Sequence, residues 1–532
     1  MPGLLPPGRD CLFILALVAL VWCTNAIWLA IDSRPPVWDM AMHQSYALNY
    51  IPGGGSSLSP GPPWSRSGVY PPFVHILMAL CYLAFRPGPD VAVLANLPAT
   101  ALLFWAVYIL GSELAGRCAG RWAVLITAMT PFLFWMSRET ILDYWLSAWA
   151  AAGLVILRRT NGFERRNHSI LLGIILALGF LTKWLFAVFL IFPVLVTIVV
   201  GRLWRHPGRL QNFGIAALIC CLVAGIWYIP NLATLMRYFP ENARIGAIEG
   251  EPPVLSFQSF IYYVRLLEGY QLFAPLSLLL AVSSISVLRR GLLRDARFLI
   301  VAVAGAWLAL TLIRTKDPRF TMPLLGLLSI IPAAWIQSWR KSRASTAAKA
   351  LMLSVLSFQA YAINFGVSWL PKKVVLAEGF QGSLRWDWNL YLQDYFDILG
   401  QPRHEDWRHS DILTAMQKDA VNTGLRPNVG LVPDLPWFCV ANFDLCARLL
   451  NIRAGITRLV LTERGIYPLQ AVDYVVTAEG EQGMSWTTTT SKDLNRIVEK
   501  SPLFQLVERF SLPQGNFARL YRVSRENGTG DR

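Results

Sequence analysis

Long apolar runs separated by short polar segments fill the first 370 residues, and the pattern changes after them. The first run, 11–30, holds about 20 apolar residues, long enough for a helix to cross a bilayer. Comparable runs follow at approximately 91–112, 122–138, 140–157, 169–182, 184–201, 213–230, 270–288, 298–313, 320–338 and 347–370, so that about eleven membrane-spanning helices are predicted. Residues 70–85 are also apolar, but Pro71, Pro72 and Pro87 bound them. Their roughly 13 continuous apolar residues are short for about 30 Å of hydrocarbon, and they read as a helix lying near the interface. Beyond residue 370, Asn428-Val429-Gly430-Leu431-Val432, Thr457-Arg458-Leu459-Val460-Leu461 and Val472-Asp473-Tyr474-Val475-Val476 read as buried strands. Helical stretches near 409–422, 437–450 and 490–499 separate them, and 504–512 with 517–523 close a hairpin around Pro513-Gln514-Gly515. No internal repeat or low-complexity segment interrupts this order. The pattern predicts a polytopic α-helical membrane domain over 1–370, with a first loop over 31–90 carrying interfacial helices, and a small α/β domain over 371–532.

Composition agrees: 54% of the 532 residues are hydrophobic and only 15% charged, against about a quarter charged in soluble proteins. The net charge of +15 raises the question of nucleic acid, but there is no basic tail or recognised binding module, and the cations lie between hydrophobic runs. Membrane topology accounts for them, and no nucleic-acid partner is expected. With a cytoplasmic N-terminus, the inside loops carry Arg117 and Arg121; Arg158, Arg159, Arg165 and Arg166; Arg202, Arg205 and Arg209; Arg289, Arg290, Arg294 and Arg297; and Arg340, Lys341 and Arg343, as the positive-inside rule requires. Counting 70–85 as a full span would reverse all of these loops. An odd number of spans places the tail outside. The first run exceeds the usual 7–15 apolar residues of a signal peptide and is followed by no small-x-small cleavage site, so it reads as a retained anchor. Of the eight cysteines, six lie in or beside apolar runs and none forms a CxxC or CxxCH pattern. Cys439 and Cys446 fall in the tail, where a disulfide is open if the tail is extracytoplasmic, although seven residues of intact helix would hold them too far apart.

Candidate chemistry lies in charges that the topology places on the outer side, where ionisable groups at membrane depth need a reason. The polar segment 31–72 contains Pro36-Val37-Trp38-Asp39-Met40-Ala41-Met42-His43 and the flexible run Gly53-Gly54-Gly55-Ser56-Ser57, a composition suited to a partly ordered loop over a substrate. Asp39 sits just outside the membrane. Its carboxylate is suited to accept a proton from a nucleophile, or to serve as a helix cap or solvated loop acid. Asp143 follows Met136-Ser137-Arg138-Glu139, where Glu139 and Asp143 would share one helix face with Arg138 as counter-ion, in a site or in a structural ion cluster. Lys183 interrupts about 30 otherwise apolar residues at an outer turn, either snorkelling to the interface or supplying a point charge to a phosphate. Arg314-Thr315-Lys316-Asp317-Pro318-Arg319-Phe320 carries three cations on the side where the positive-inside rule expects few. A phosphate at headgroup level suits them; the alternative is a cluster neutralising itself around Asp317. Trp38 and Trp64 are placed to stack on a sugar or to join an interfacial aromatic belt.

Together these residues resemble a family. Asp39 after the first span, Tyr70-Pro71-Pro72 opening an apolar helix, Gly116-Arg117-Cys118-Ala119-Gly120 before a span, Ser137-Arg138 followed by Leu142-Asp143, Leu181-Thr182-Lys183, and Lys316 with Arg319-Phe320 and Pro323 look like the GT-C glycosyltransferases. The branch most similar holds the protein O-mannosyltransferases and lipid A aminoarabinose transferases, over residues 11–340 in order. The resemblance implies an integral protein of the bacterial inner membrane that transfers a sugar, with inversion, from a polyprenyl-phosphate donor at the extracytoplasmic face. The acceptor would be a glycan, a lipid or a protein, and membrane lipid surrounds the site. By position Asp39 matches the catalytic first-loop acid and Asp143 the second acid. Arg138, Lys183, Arg314, Lys316 and Arg319 match basic positions near the donor phosphate, and Trp38, His43, Trp64, Tyr70 and Glu139 are candidates for sugar or acceptor contact. The chain departs from the family where Met40, not an acid, follows Asp39, and where Tyr70 replaces the usual lysine or histidine before the proline. No cofactor is required, and a divalent metal between Asp39 and Asp143 stays open on two carboxylates without a clear third ligand. A transporter or flippase of lipid-linked sugars, or a non-catalytic glycan-assembly subunit, are the other readings of the same charges.

Overall fold

Helix covers most of each expected span within the described residues of the computed structural model of the chain, which describes residues 6–53, 62–367, 369, 373–378, 385–389 and 400–524. By length and composition five helices can cross a membrane: Gly8–Ile31, Pro89–Ala115, Pro207–Ile248, Phe257–Arg290 and Arg343–Phe365. Shorter apolar helices are Phe73–Ala84, Arg166–Thr182, Trp184–Val200, Ala296–Thr311 and Met322–Gln337. The helix Phe73–Ala84 has 12 residues, about 18 Å at 1.5 Å per residue, in keeping with an interfacial placement. Two runs differ from the sequence pattern. The run at 122–138 divides into Arg117–Met129 and Pro131–Met136, because Pro131 has no N–H for the ladder and drives Thr130 into an extended conformation. The run expected to stop at Pro230 continues as a 42-residue helix, Pro207–Ile248, through Pro230 and Pro240. At about 63 Å it is twice the hydrocarbon thickness, and its last turns carry Arg237, Glu241, Asn242 and Arg244.

The chain divides into two compact units that do not follow its order: residues 1–28, 67–74 and 93–402 form one, and residues 29–66, 75–92 and 403–532 the other. In the first unit small residues let helices approach closely. A Cβ on Gly173 would lie 2.6 Å from the carbonyl oxygen of Ala216, where Arg166–Thr182 meets Pro207–Ile248. Gly111 similarly faces the Cα of Gly120 at 3.1 Å. One end of this bundle is tied by charge. Asp10, fully buried, accepts from Arg117 Nη2 at 2.6 Å, from Arg121 Nε at 2.6 Å and from the Tyr108 hydroxyl at 2.5 Å. Glu113 accepts from Arg158 and Arg159, and Arg158 also reaches Asp295 at 2.5 Å. These arginines belong to the loops read as cytoplasmic.

In the second unit a five-stranded sheet runs in the order Gly455–Arg458, Asn428–Leu431, Tyr474–Ala478, Phe517–Val523, Phe504–Ser511. The first three strands are parallel and the last two antiparallel. Helices His409–Thr423, Val440–Leu449 and Ser491–Lys500 match the expected ones. The core gathers Val432, Leu459, Val475, Leu494, Val498 and Tyr521. The closing hairpin forms as read, turning through Pro513–Gly515. Strands Lys373–Glu378 and Arg385–Asn389, which the sequence pattern did not reveal, pair antiparallel in the first unit. Of the glycine-serine run, Gly54, Gly55, Ser56 and Ser57 lie outside the described residues.

The helix contact at Gly173 is testable. Gly173→Val is expected to cost about 1–3 kcal/mol through overpacking and to lower the Tm of the detergent-solubilised protein. Gly214→Ala, on the facing helix Pro207–Ile248 but with open space around its Cβ position, should leave the Tm unchanged or raise it.

Candidate active site

In the first unit two of the residues singled out in the sequence form a buried ion pair. Ile141 is extended (φ −108°, ψ 146°) and starts the helix Leu142–Arg159, so Asp143 falls in the first turn, where the helix dipole favours a carboxylate. Lys183 ends the helix Arg166–Thr182 in an extended conformation (φ −162°, ψ 140°) before the turn Trp184–Phe186. Its Nζ donates to Asp143 Oδ1 at 2.8 Å and Oδ2 at 2.9 Å, with Asp143 1% and Lys183 8% exposed. The two helices are joined through 160–165, so the pair sits at the end of the bundle away from Arg158, Arg159, Arg165 and Arg166, about 25 Å along the helix axes. Lys183 Nζ lies 5.2 Å from the ring centre of Phe320. Beside it Trp184 stacks on Tyr70 at 5.4 Å and 12°. The segment bearing Tyr70 is anchored by Phe73, packed edge-on against Trp145 and Trp149. Asp143, Lys183 and Phe320 thus meet at one place, and the Tyr70–Trp184 stack begins at the next residue of the chain.

Arg138 and Glu139 occupy the turn before Leu142–Arg159. Arg138 is 2% exposed, with its guanidinium 4.2 Å over Trp28 and Nη1 donating to Asn364 Oδ1 at 2.5 Å. Glu139 Oε1 accepts from Trp135 Nε1 at 2.8 Å, and its carbonyl from Asn96 Nδ2 at 2.7 Å. Glu139 and Asp143 do not share one helix face as expected, because Glu139 precedes the helix; the counter-ion of Asp143 is Lys183 in place of Arg138.

The loop after Ala296–Thr311 carries the remaining cations. Lys316 Nζ turns back to the carbonyls of Leu310, Thr311 and Ile313 at 3.1, 2.7 and 2.7 Å, which matches its three protons to three acceptors and caps the helix. Arg319 pairs with Asp317, Nε at 2.8 Å from Oδ1. For Arg319 the neutralisation around Asp317 that the sequence left open is formed. Arg314 is half-buried. Three residues with no part in the sequence reading hold this loop. Gln271 Nε2 donates to Pro318 O and Thr321 Oγ1, Asn242 bonds Thr315, and Glu251 accepts from the Lys316 N–H at 2.5 Å. Burial pushes the Glu251 carboxyl up to about 7, against the Lys316 N–H that favours its charged form. Burial likewise lowers Lys316 to about 8.

The second unit holds the first-loop candidates. Asp39, half-buried, lies in the first turn of the helix Trp38–Leu48. The tail's helix Val440–Leu449 packs on this helix. Asn442 Nδ2 donates to Pro36 O at 2.5 Å, Arg448 Nη1 to Asn49 Oδ1 at 2.7 Å, and Trp38 N to Pro436 O at 3.1 Å, so both ends are clamped. Trp38 has φ 26°, a conformation that non-glycine residues hold only under such constraint. His43, one turn beyond Asp39, places Nδ1 2.9 Å from Nε2 of His75, both buried. Trp64 is exposed at the surface. Among the described residues no group of three or more His, Cys, Asp or Glu is arranged to hold a metal, and the Asp143 oxygens facing an ammonium do not form a cation site. The Cys439–Cys446 disulfide is not formed. Cys439 caps Val440–Leu449 with Sγ 3.0 Å from Asn442 Oδ1, and Cys446 lies further along the same helix. His75 and Gln271 each lie within an apolar run, and that was their only signal in the sequence.

The long helical bundle gives the chain the fold of a polytopic membrane protein, similar to that of GT-C glycosyltransferases. Residues 69–227 match the family model described as dolichyl-phosphate-mannose-protein mannosyltransferase. The chain is 24% identical over 261 residues to the undecaprenyl phosphate-alpha-4-amino-4-deoxy-L-arabinose arabinosyl transferase of Serratia proteamaculans, covering 45% of this chain and 43% of that protein. The matched stretch thus spans less than half of the relative. The fold is similar to the apo crystal structure of ArnT from Cupriavidus metallidurans, with a TM-score of 0.57 at 12% identity, over 96% of this chain and 98% of that one.

Asp143→Asn is expected to destabilise the protein by about 3–5 kcal/mol, because it leaves the Lys183 ammonium buried without its counter-charge, and adding Lys183→Met should recover most of the loss. Thermal unfolding of the two variants checks this. The loop supplies a pH signature. Glu251 holds its proton more tightly folded than unfolded, so its contribution is full below about 4.5 and lost as pH rises through about 7. Lys316 holds its proton less tightly, so its contribution is full above about 10.5 and lost as pH falls through about 8. Hydrogen-exchange protection of 312–321, corrected for intrinsic rates, is therefore expected to pass through a minimum between about pH 7 and 8. Glu251→Gln should abolish the rise on the acid side.

Proposed function

We propose that this chain transfers a sugar, with inversion, from a polyprenyl-phosphate donor to an acceptor glycan, lipid or protein at the extracytoplasmic face of the bacterial inner membrane. The observation that carries this reading is the buried Asp143–Lys183 pair, bordered by the Tyr70–Trp184 stack and Phe320, at the end of the bundle away from the arginine clusters. A charge pair in a dry helical environment is retained at a cost, and that cost is characteristic of functional sites in membranes. The family model and the curated relative are both named for transferases of polyprenyl-type phosphate sugars, which supports the same reaction class.

In this reading the acceptor's hydroxyl or amine attacks the anomeric carbon from the face opposite the phosphate. The bond from that carbon to the phosphate oxygen breaks, and the lipid phosphate departs with the bonding electrons. Asp39 takes the acceptor's proton. Lys183, Arg138, Arg314 and Arg319 supply positive charge for the leaving phosphate, while Lys316 fixes the loop that carries two of them. Asp143 orients Lys183 and serves as the second acid of the site. Trp38, His43, Trp64, Tyr70 and Glu139 are assigned to the sugar and acceptor. The N-terminus is cytoplasmic, residues 1–370 form the membrane part, and the tail, 371–532, lies outside and supports the Asp39 helix.

Asp39→Asn is expected to lower transfer of label from an undecaprenyl-phosphate-linked sugar in proteoliposomes by about 10²–10⁴-fold with an unchanged Tm. Wild-type transfer by a folded Asp39→Asn protein would remove Asp39 as the base. Flipping of the donor without any transfer by the wild type would replace the enzyme by a transporter.

A further inference from the structure

The end of the bundle away from Lys183 carries a second feature that the transfer reaction does not use. Helices Phe273–Arg290, Ala296–Thr311 and Ile330–Gln337 enclose an apolar groove of about 210 Å³ lined by Val287, Leu293, Leu299, Val303, Ala304 and Ile331, among others. Arginines follow directly on its walls. Arg289 and Arg290 come after the lining residue Leu288, Arg294 after Leu293, and Arg297 after Ala296. All four are exposed. Arg290 touches Ser338 Oγ at 3.4 Å. The side chains of Arg289, Arg294 and Arg297 make no hydrogen bond or ion pair within the described residues. The one acid among them, Asp295, is already committed to Arg158 and to capping Phe298 N. A greasy slot whose lining residues are followed directly in the chain by exposed arginines is complementary to a molecule with a hydrocarbon chain and an anionic head.

We propose that this groove is a binding site for an anionic phospholipid, one acyl chain lying between the three helices and the phosphate held by Arg289, Arg294 and Arg297. The placement in the inner leaflet rests on the orientation proposed above; the binding itself does not. A polyprenyl donor is not the occupant meant, because the cations that would take its phosphate belong to the opposite end of Ala296–Thr311. Arginine suits the task through its fork of donors and weak hydration, which let it grip a phosphate at the hydrocarbon boundary.

The test is lipid retention by the full chain. Protein extracted from vesicles of phosphatidylcholine with phosphatidylglycerol is analysed by native mass spectrometry, and bound lipid is counted. Wild type is expected to retain phosphatidylglycerol over phosphatidylcholine. The triple variant Arg289→Gln, Arg294→Gln, Arg297→Gln should lose that preference by about a hundredfold, at about fivefold for each basic residue. Ala304→Phe, which fills the slot at an exposed position, should lower retention with the arginines intact. Donor transfer measured in parallel is expected to survive in phosphatidylcholine, so loss of the lipid site and loss of the enzyme are told apart. Equal retention of both lipids by wild type, or unchanged retention in the triple variant, would overturn the proposal. So would an Ala304→Phe protein that keeps its lipid but changes its oligomeric state by light scattering, since the groove would then seat a second copy.

Discussion

A lysine and an aspartate that face each other inside an apolar bundle constrain everything around them. Neither charge is tolerable alone at that depth, since removing a charged group from water costs several kcal/mol even after the protein relaxes. The break between Thr182 and Trp184 and the helix start at Leu142 must therefore stay in register, or one ion is left without its partner. Asp143 and Lys183 are both buried, and that burial strengthens their attraction and raises the penalty for disorder together. The stability of this corner and its chemistry have the same origin.

The opposite end of the bundle is built on a different principle. Asp10, Glu113 and Asp295 are each shared between or held by arginines at the boundary with water, where the long guanidinium arms reach solvent while their stems cover apolar surface. Among the described residues one end holds the buried Asp143–Lys183 pair as well as Arg319–Asp317, and the other spreads arginine pairs over Asp10, Glu113 and Asp295. This asymmetry is what a membrane with two unlike faces selects for, and it follows from the distribution of arginine along the chain alone.

The helical runs, the change of character after residue 370 and the strands of the tail were legible in the sequence because they rest on periodicity and composition, which are local. Lys183 and Asp143 were legible as charges out of place, but not as partners, since 40 residues separate them and only the packing of two helices joins them. The pairing of Arg138 with Asn364, and the capping of a helix by Lys316, are equally non-local. A lysine that satisfies three carbonyls reads in a sequence like one waiting for a phosphate. Glu251 was invisible for another reason: an acid in a short loop is ordinary until burial is known. The extension of Pro207–Ile248 past two prolines shows that tertiary context overrides a breaker.

The helix bearing Asp39 belongs to the same unit as the last 130 or so residues of the chain, and its two ends are held by Asn442 and Arg448. During synthesis the first loop emerges early, yet the surface that fixes it is made roughly 400 residues later. At about 5–20 residues per second the wait is on the order of 20–80 s. For that interval the proposed base is carried on an unsupported segment, and a ribosome that stops before the tail would leave behind an inserted but unarmed protein.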